Sequence, residues 1–289
     1  MINTVSYFRE LHHQAEPLLV NNVGDVSSAR LFTKKGALAL GTSSAALADT
    51  LGYADGEQLP FSLLLEVVQR IKNNTNLPLS VDLERGYSSE QTGVLQNVET
   101  LCRMGISGIN LEDSRDEKSG TPLRDARDMQ QLIGAIRSHL SRNGLDLFLN
   151  IRTDAFLKGL PGALDETLNR IPIYEQAGAD GIFVPCLHDK ASLRQVVSQS
   201  KLPVNVLVCP GLPSIAELAQ IGVKRISMGS AIYRIWKKSL VKIVDRIQQE
   251  HSFASLSWKG IRFCAANHSN NLGKIGVLHQ VDQIANKKK

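Results

Sequence analysis

The sequence predicts an α/β protein with a single (β/α)8 TIM barrel, eight parallel strands alternating with eight helices. Three observations predict it. Eight short apolar runs, rich in β-branched residues, alternate with stretches whose apolar residues recur at three- and four-residue spacing. The alternation fills residues 1–250, close to the length such barrels need. No break in composition divides that span. The rival, a doubly wound open sheet, loses its dinucleotide-binding form because no G-x-G-x-x-G follows the first strand.

The elements run in order. LLVNNV (Leu18–Val23) is the first expected strand, and SSARLFTKKG is a helix that Gly36 ends. ALALGT (Ala37–Thr42) is the second strand, followed by a loop and the helix FSLLLEVVQRIKNN. LPLSVDLE (Leu77–Glu84) and SGINLED (Ser107–Asp113) are strands three and four, with NVETLCRMG between them. ARDMQQLIGAIRSHL leads to strand five, LFLNIRTD (Leu147–Asp154). LDETLNRIPIYEQAG carries Pro172, which is expected to kink or break that helix. ADGIFVP (Ala179–Pro185), PVNVLVC (Pro203–Cys209) and KRISMGS (Lys224–Ser230) complete the strands, with helices ASLRQVVSQS and SIAELAQIG between them. AIYRIWKKSLVKIVDRIQQEH closes the series, and residues 251–289 are expected to form a C-terminal extension, helical and then basic.

Composition narrows the function classes. With 43% hydrophobic residues the 289-residue chain can bury a large core, yet no apolar run approaches the roughly 20 residues of a membrane span. The N-terminal segment MINTVSYFRELHHQ has no apolar signal-peptide core, so a cytoplasmic location is expected. Cys102, Cys186, Cys209 and Cys264 form no C-x-x-C pair, which argues against a zinc site or a disulfide frame. The net charge is +5, but three of those charges are Lys287–Lys289, and no basic stripe is interleaved with aromatics; neither nucleic acid nor membrane is expected as a partner.

In such barrels chemistry sits where strands end. The third strand ends in Asp82 and Glu84, the fourth in Glu112 and Asp113, and the fifth carries Asn150, Arg152 and Asp154. Residues two apart on a strand share a face, so Asp82 and Glu84 are expected side by side, with Glu112 one strand away. Three carboxylates in a poorly solvated mouth repel one another until protons or a cation intervene. An all-oxygen set without His or Cys points to Mg2+, or to Mn2+. The alternative is that these acids pair with Arg85, Arg115 or Arg152.

Five segments together resemble the isocitrate lyase / phosphoenolpyruvate mutase superfamily: NNVGDVSSARLF, GTSSAALADTLGYADGE, SVDLERGYS, GINLEDS and NIRTDAF, spread from Asn21 toward Ser230. The resemblance implies a swapped eighth helix and a homotetramer built as a dimer of helix-swapped dimers. It implies Mg2+ held by Asp82 and Glu112, with Glu84 acting directly or through water. It implies that Ser43, with backbone groups near Ser44 and Ala45, grips a substrate carboxylate. Asp55 would orient water or substrate, Arg152 would pair with the substrate's anionic end, and Asn205 would border the substrate.

The segment after Glu112 departs from that pattern. SRDEKSGTPLRDARD (Ser114–Asp128) reads as a lid, but lacks the Cys and His that the family's isocitrate and methylisocitrate lyases carry there and the Asn of the mutase. Thr121 lies in about the region where a phosphonopyruvate hydrolase has a lid Thr; the alternative is an ordinary loop residue before a proline. Pro185 replaces a Glu or His at the end of strand six, leaving Tyr87, His188 and Cys209 as thin acid/base candidates. Decarboxylation needs an electron sink but no base to break the bond. The expectation is therefore a Mg2+-dependent lyase that cleaves a C–C bond in a small 2-oxo or 2-hydroxy (di)carboxylic acid, by decarboxylase-type chemistry through a pyruvate-enolate-like intermediate. A P–C hydrolase or mutase acting on phosphonopyruvate is one alternative, and a metal- and dicarboxylate-binding barrel without turnover is the other.

Overall fold

The computed structural model describes residues 4–115, 120–254 and 256. Eight strands close into an all-parallel barrel in sequence order: β1 (Leu18–Val23), β2 (Leu40–Thr42), β3 (Leu79–Asp82), β4 (Gly108–Glu112), β5 (Phe148–Arg152), β6 (Gly181–Val184), β7 (Val204–Leu207) and β8 (Arg225–Ser227). The helices are α1 (Thr4–Leu11), α2 (Val26–Lys34), α3 (Ser44–Leu51), α4 (Phe61–Lys72), α5 (Gln91–Arg103), α6 (Ala126–Arg142), α7 (Ala163–Ala177), α8 (Lys190–Gln199), α9 (Ile215–Ile221) and α10 (Ala231–Glu250). The expected fold class stands, and β1 has the expected bounds. The other strands are shorter than the apolar runs: β2 loses residues at its start only, and the rest are trimmed at both ends, where the run belongs to the turns that enter and leave the sheet.

Three local features differ from expectation. Glu84 lies beyond β3, in a turn with φ of 50°. The segment after β2, expected as a loop, forms α3, whose N-cap Ser43 accepts from Ala46 N at 3.3 Å. Pro172 sits inside α7 without ending it, since buried Ile171 and Tyr174 anchor that helix on both sides of the missing donor. The first compact unit ends at Ser239 and the second begins at Leu240, within the span of α10. The expected C-terminal extension falls outside the described residues except for 251–254 and 256.

The core has two parts. The larger lies between strands and helices, with Val81, Leu111, Ile151, Ile182 and Val206 facing helix residues such as Val98, Ile133 and Val196. The smaller is inside the barrel, where α1 closes the N-terminal ends of the strands and Phe8 and Leu11 meet Leu18, Val20, Ala39 and Phe148. Gly108 makes room for this plug: a Cβ there would lie 2.8 Å from Phe8 Cε1.

Above that floor the interior becomes polar. Asn110 pairs in register with Asn150, and Asn205 with Arg225. Asn150 Nδ2 donates to Asn110 Oδ1 at 2.8 Å, Arg225 Nη2 donates to the same oxygen at 3.2 Å, and Arg225 Nε donates to Ser227 Oγ at 3.2 Å. Higher still, Glu112 pairs in register with Arg152, and Asp82 with Asn110. The interior thus runs from an apolar floor through an amide layer to a charged mouth, unlike the branched aliphatic layers that dominate most such barrels.

Candidate active site

The mouth is built on β3, β4 and β5. Although Glu84 is off the strand, the backbone carries it to β4: Leu83 N donates to Asn110 O at 3.0 Å, and Glu84 O accepts from Glu112 N at 2.8 Å. Asp82, Glu84 and Glu112 are thereby brought within electrostatic reach of one another. Burial pushes Asp82 above the usual carboxylate range, opposed by Arg152 and reinforced by Glu112. Burial, with the charge of Asp82 behind it, pushes Glu84 up to about 8.

Each acid is held differently. Ser44 Oγ donates to Asp82 Oδ2 at 2.9 Å, while Asp82 Oδ1 is buried without a partner among the described residues. Glu84 accepts from Tyr87 OH and from Glu57 N, both at 2.9 Å. Ser114 Oγ donates to Glu112 Oε1 at 2.5 Å, and Arg152 Nη1 meets Glu112 Oε2 at 2.9 Å. Arg152 also donates from Nε and Nη2 to Asp154, at 2.6 and 3.0 Å. Burial alone would lower the Arg152 pKa; Glu112, Asp154 and Asp82 outweigh it and raise it. Three of its five N–H groups are thus used, leaving one on each Nη for an anion. Burial also lifts Asp154 to about 6 against the pull of Arg152.

A second tier fixes these groups. Buried Asp113 accepts from Tyr174 OH at 2.7 Å, from Arg170 Nη1 at 3.1 Å and from Asp154 N at 3.0 Å, tying the mouth to α7. Glu57 accepts from Arg85 N and Tyr87 N at 2.9 and 2.7 Å, shaping the turn that carries Glu84. Glu57, Glu84, Tyr87 and Cys186 all have φ between 50 and 64°, a left-handed conformation costly for side-chain-bearing residues and found here in the loop between α3 and α4 and in the loops after β3 and β6.

A cavity of about 420 Å3 opens over this floor, bordered by Ser44, Asp55, Gly56, Gln58, Glu84, Arg85, Glu112, Ser114, Arg115, Arg152, Asp154, Leu157 and Lys158. Its size suits a small molecule. Of the expected site residues it unites Ser44, Asp55, Glu84, Glu112 and Arg152, with half-buried Asp82 hydrogen-bonded to Ser44. Four others stand elsewhere. Ser43 is buried as the cap of α3, and Ala45 is half-buried on the same helix. Asn205 is buried deeper in the barrel, where its Nδ2 lies 3.1 Å from Ser227 Oγ. Thr121 is exposed and does not border the cavity.

Sequence reasoning missed Ser114, Glu57, Arg170 and Lys158 and treated Tyr87 as structural. Tyr87 and Ser114 had a local signal, three residues after Glu84 and two after Glu112; Glu57 and Lys158 come from other loops and Arg170 from α7. Of the arginine pairings that were the alternative, Arg152–Glu112 is made, while Asp82 and Glu84 have no arginine partner among the described residues.

Among the described residues no three His, Cys, Asp or Glu side chains are drawn together as a ready-made ligand shell. The chemistry of the donors nevertheless fits a hard divalent cation: the unpartnered, buried Asp82 Oδ1 and the mutual repulsion of Asp82, Glu84 and Glu112 call for positive charge.

A family model described as phosphoenolpyruvate phosphomutase matches residues 8–248. An oxaloacetate decarboxylase of Pseudomonas fluorescens is 31% identical over 233 residues, 78% of this chain and 78% of its own. An uncharacterized protein of Mycobacterium tuberculosis is 32% identical over 226 residues, covering 78% and 83%. Among solved structures, the "putative phosphonomutase" of Burkholderia cenocepacia J2315 is 42% identical, with a TM-score of 0.79 over 84% of this chain and 99% of its own.

Proposed function

The chain belongs to the phosphoenolpyruvate phosphomutase family, whose members are lyases and mutases, and from that premise we propose that it cleaves a C–C bond in a small 2-oxo acid, by decarboxylation of a 2-oxo diacid. One observation carries this reading: the cavity is bordered by carboxylates, cations and hydroxyls, and by no His or Cys among the described residues. Bond cleavage by loss of CO2 needs no side chain to remove a proton first. Retro-aldol cleavage of a 2-hydroxy diacid does need such a base.

Asp82, Glu84 and Glu112 would hold a Mg2+, which when bound would supply Lewis-acid polarisation of the 2-oxo group. Arg152 receives the substrate's C1 carboxylate on its two free N–H groups, a planar two-pronged contact. Glu112 and Asp154 lock that guanidinium from the other side, so it keeps its orientation before substrate arrives. Ser44 and Ser114 hold Asp82 and Glu112 in place. The 31% identical oxaloacetate decarboxylase supports the same reading.

The test is magnesium-dependent pyruvate release from a panel of 2-oxo diacids, with phosphonopyruvate as the control. Pyruvate from a diacid is the expected result; turnover of phosphonopyruvate alone would overturn the reading in favour of P–C chemistry. The 42% identical phosphonomutase-like structure favours that second reading. Exposed Thr121 counts against its nucleophilic form.

For the assembly we propose a homotetramer. In the first unit Ile235 and Trp236 are 62% and 59% exposed, large apolar side chains suited to burial against another copy of this chain; in the second unit Leu240, Val241, Ile243 and Val244 are 43–54% exposed. Light scattering of a Trp236→Glu variant tests it: a smaller species than wild type is expected, and a wild type that is itself a monomer ends the idea.

A further inference from the structure

Arg85, Arg115, Arg152 and Lys158 border the cavity, and three of these four cations are paired with a carboxylate. Arg152 is held by Glu112 and Asp154 and keeps two N–H groups for the 2-oxo head. Arg85 is paired with Glu57 at 3.2 Å and donates to Gly56 O at 3.0 Å. Arg115 stands 3.6 Å from Asp128. The Lys158 ammonium borders the same space with no ion-pair or hydrogen-bond partner among the described residues.

Its mounting is well defined. Lys158 N donates to Asp154 O at 2.8 Å, closing one helical turn, and Leu160 N to Ala155 O at 3.0 Å tightens that turn. The base of the turn is itself anchored, since Asp154 N donates to buried Asp113 and the Asp154 carboxylate grips Arg152. Residues four apart on such a turn lie one above the other, so Lys158 stands one turn out from the Arg152–Asp154 pair. Leu157 is the one aliphatic side chain on the cavity border among the described residues, so little there would reward a hydrocarbon tail.

We propose that Lys158 determines specificity by binding a second anionic group of the substrate, so that this enzyme takes 2-oxo acids with an anionic tail and discriminates against 2-oxo monoacids. The assignment rests on the 2-oxo-acid reading of the site and deepens it. The head of such a molecule lies on Arg152, and its tail points outward to the rim. A lysine suits this task because a compact ammonium with rotatable donors accepts a carboxylate or a phosphonate alike. The shared chemistry is an anion displaced from the 2-oxo head, whichever bond is broken.

Calorimetric titration of the magnesium-loaded protein tests this without requiring turnover. Three probes share the head group: 2-oxobutyrate with a neutral tail, 3,3-difluorooxaloacetate with a carboxylate tail, and phosphonopyruvate with a phosphonate tail. In Lys158→Met, Kd for a tailed probe is expected to rise roughly 10- to 100-fold, the loss of one charge-assisted contact, while 2-oxobutyrate changes less than about twofold. Lys158→Arg is expected to restore most of the affinity. Weakening confined to the carboxylate probe identifies a diacid, and weakening confined to the phosphonate probe identifies a phosphonate; either supports Lys158. Unchanged affinity for both tailed probes, or equal weakening of all three, overturns the assignment of Lys158 alone. If none of the three binds the wild-type protein, the 2-oxo-acid reading itself falls and takes this one with it.

Discussion

The two ends of the barrel interior are both buried, and they are stabilised in opposite ways. At the floor, Phe148 meets Phe8 edge-on with ring centroids 5.4 Å apart, and His12 stacks on Phe148 at 4.2 Å. At the mouth, Asp82, Glu84 and Glu112 repel one another around the half-buried Arg152 guanidinium. The floor gains from close packing and apolar burial. The mouth retains unmet electrostatic demand in Asp82 Oδ1 and in two raised carboxylates, which a proton or a bound cation can meet. Stability and function are thereby separated along one axis, with the amide layer around Arg225 between them.

That contrast can be broken from either end. The largest effect is expected from Arg152→Met, which removes the anion contact and leaves Glu112 and Asp154 unpaired. Turnover should fall by about 10²- to 10³-fold even in the folded fraction, measured as kcat at a temperature where circular dichroism is native. Wild-type kcat in that variant would show that the mouth is a structural ion cluster. Phe148→Ala should do the reverse, costing about 3–5 kcal/mol in denaturant unfolding while leaving KM for the folded enzyme unchanged. A shift in KM comparable to that of a mouth variant would show that floor and mouth are coupled.

A smaller effect is expected with pH. His12 Nδ1 lies 2.7 Å from Phe8 O, an acceptor, so the proton sits on Nδ1 and Nε2 is left buried and unpartnered among the described residues. Burial, with Arg225 adding to it, lowers this imidazole from 6.5 to about 3. The folded pKa is depressed, so His12 contributes stability that is fully present above pH 6.5 and is lost as pH falls from 6.5 toward 3. The loss should be about 1.4 kcal/mol per unit, roughly 2 kcal/mol by pH 5, and His12→Phe should remove it. An unchanged acid slope in the variant would place the acid sensitivity at the mouth instead.

The smallest effect is expected from Tyr87→Phe, which removes one donor from Glu84 and no packing. Apparent magnesium affinity should weaken about 5- to 10-fold, with melting temperature nearly unchanged.

Much of this is legible in the chain. β1 has the bounds its apolar run suggests, and Asp82, Glu112 and Arg152 stand at strand ends as expected. The strand argument for Glu84 fails in detail, because β3 ends at Asp82 and a left-handed residue makes the turn; the side chain still arrives at the mouth through the Leu83 and Glu84 backbone bonds to β4. The helix α1 is not foreseeable from the pattern alone, since eight residues with three buried apolar positions carry a weak local signal. Its place inside the barrel depends on Gly108, about a hundred residues away.

Periodicity, strand-end acids and the five family-like segments by themselves determined the closed parallel barrel, the carboxylates of its mouth and the family, because each is written in local residue type and spacing. Only the tertiary structure decided that Arg152 serves Glu112 and Asp154, that Asn205 is buried against Ser227 and Ser43 caps α3, and that Lys158 stands at the rim without a partner among the described residues. Those outcomes depend on which charges meet across strands and loops, and in a buried mouth a partner's identity, more than the residue's own type, sets what that residue can do.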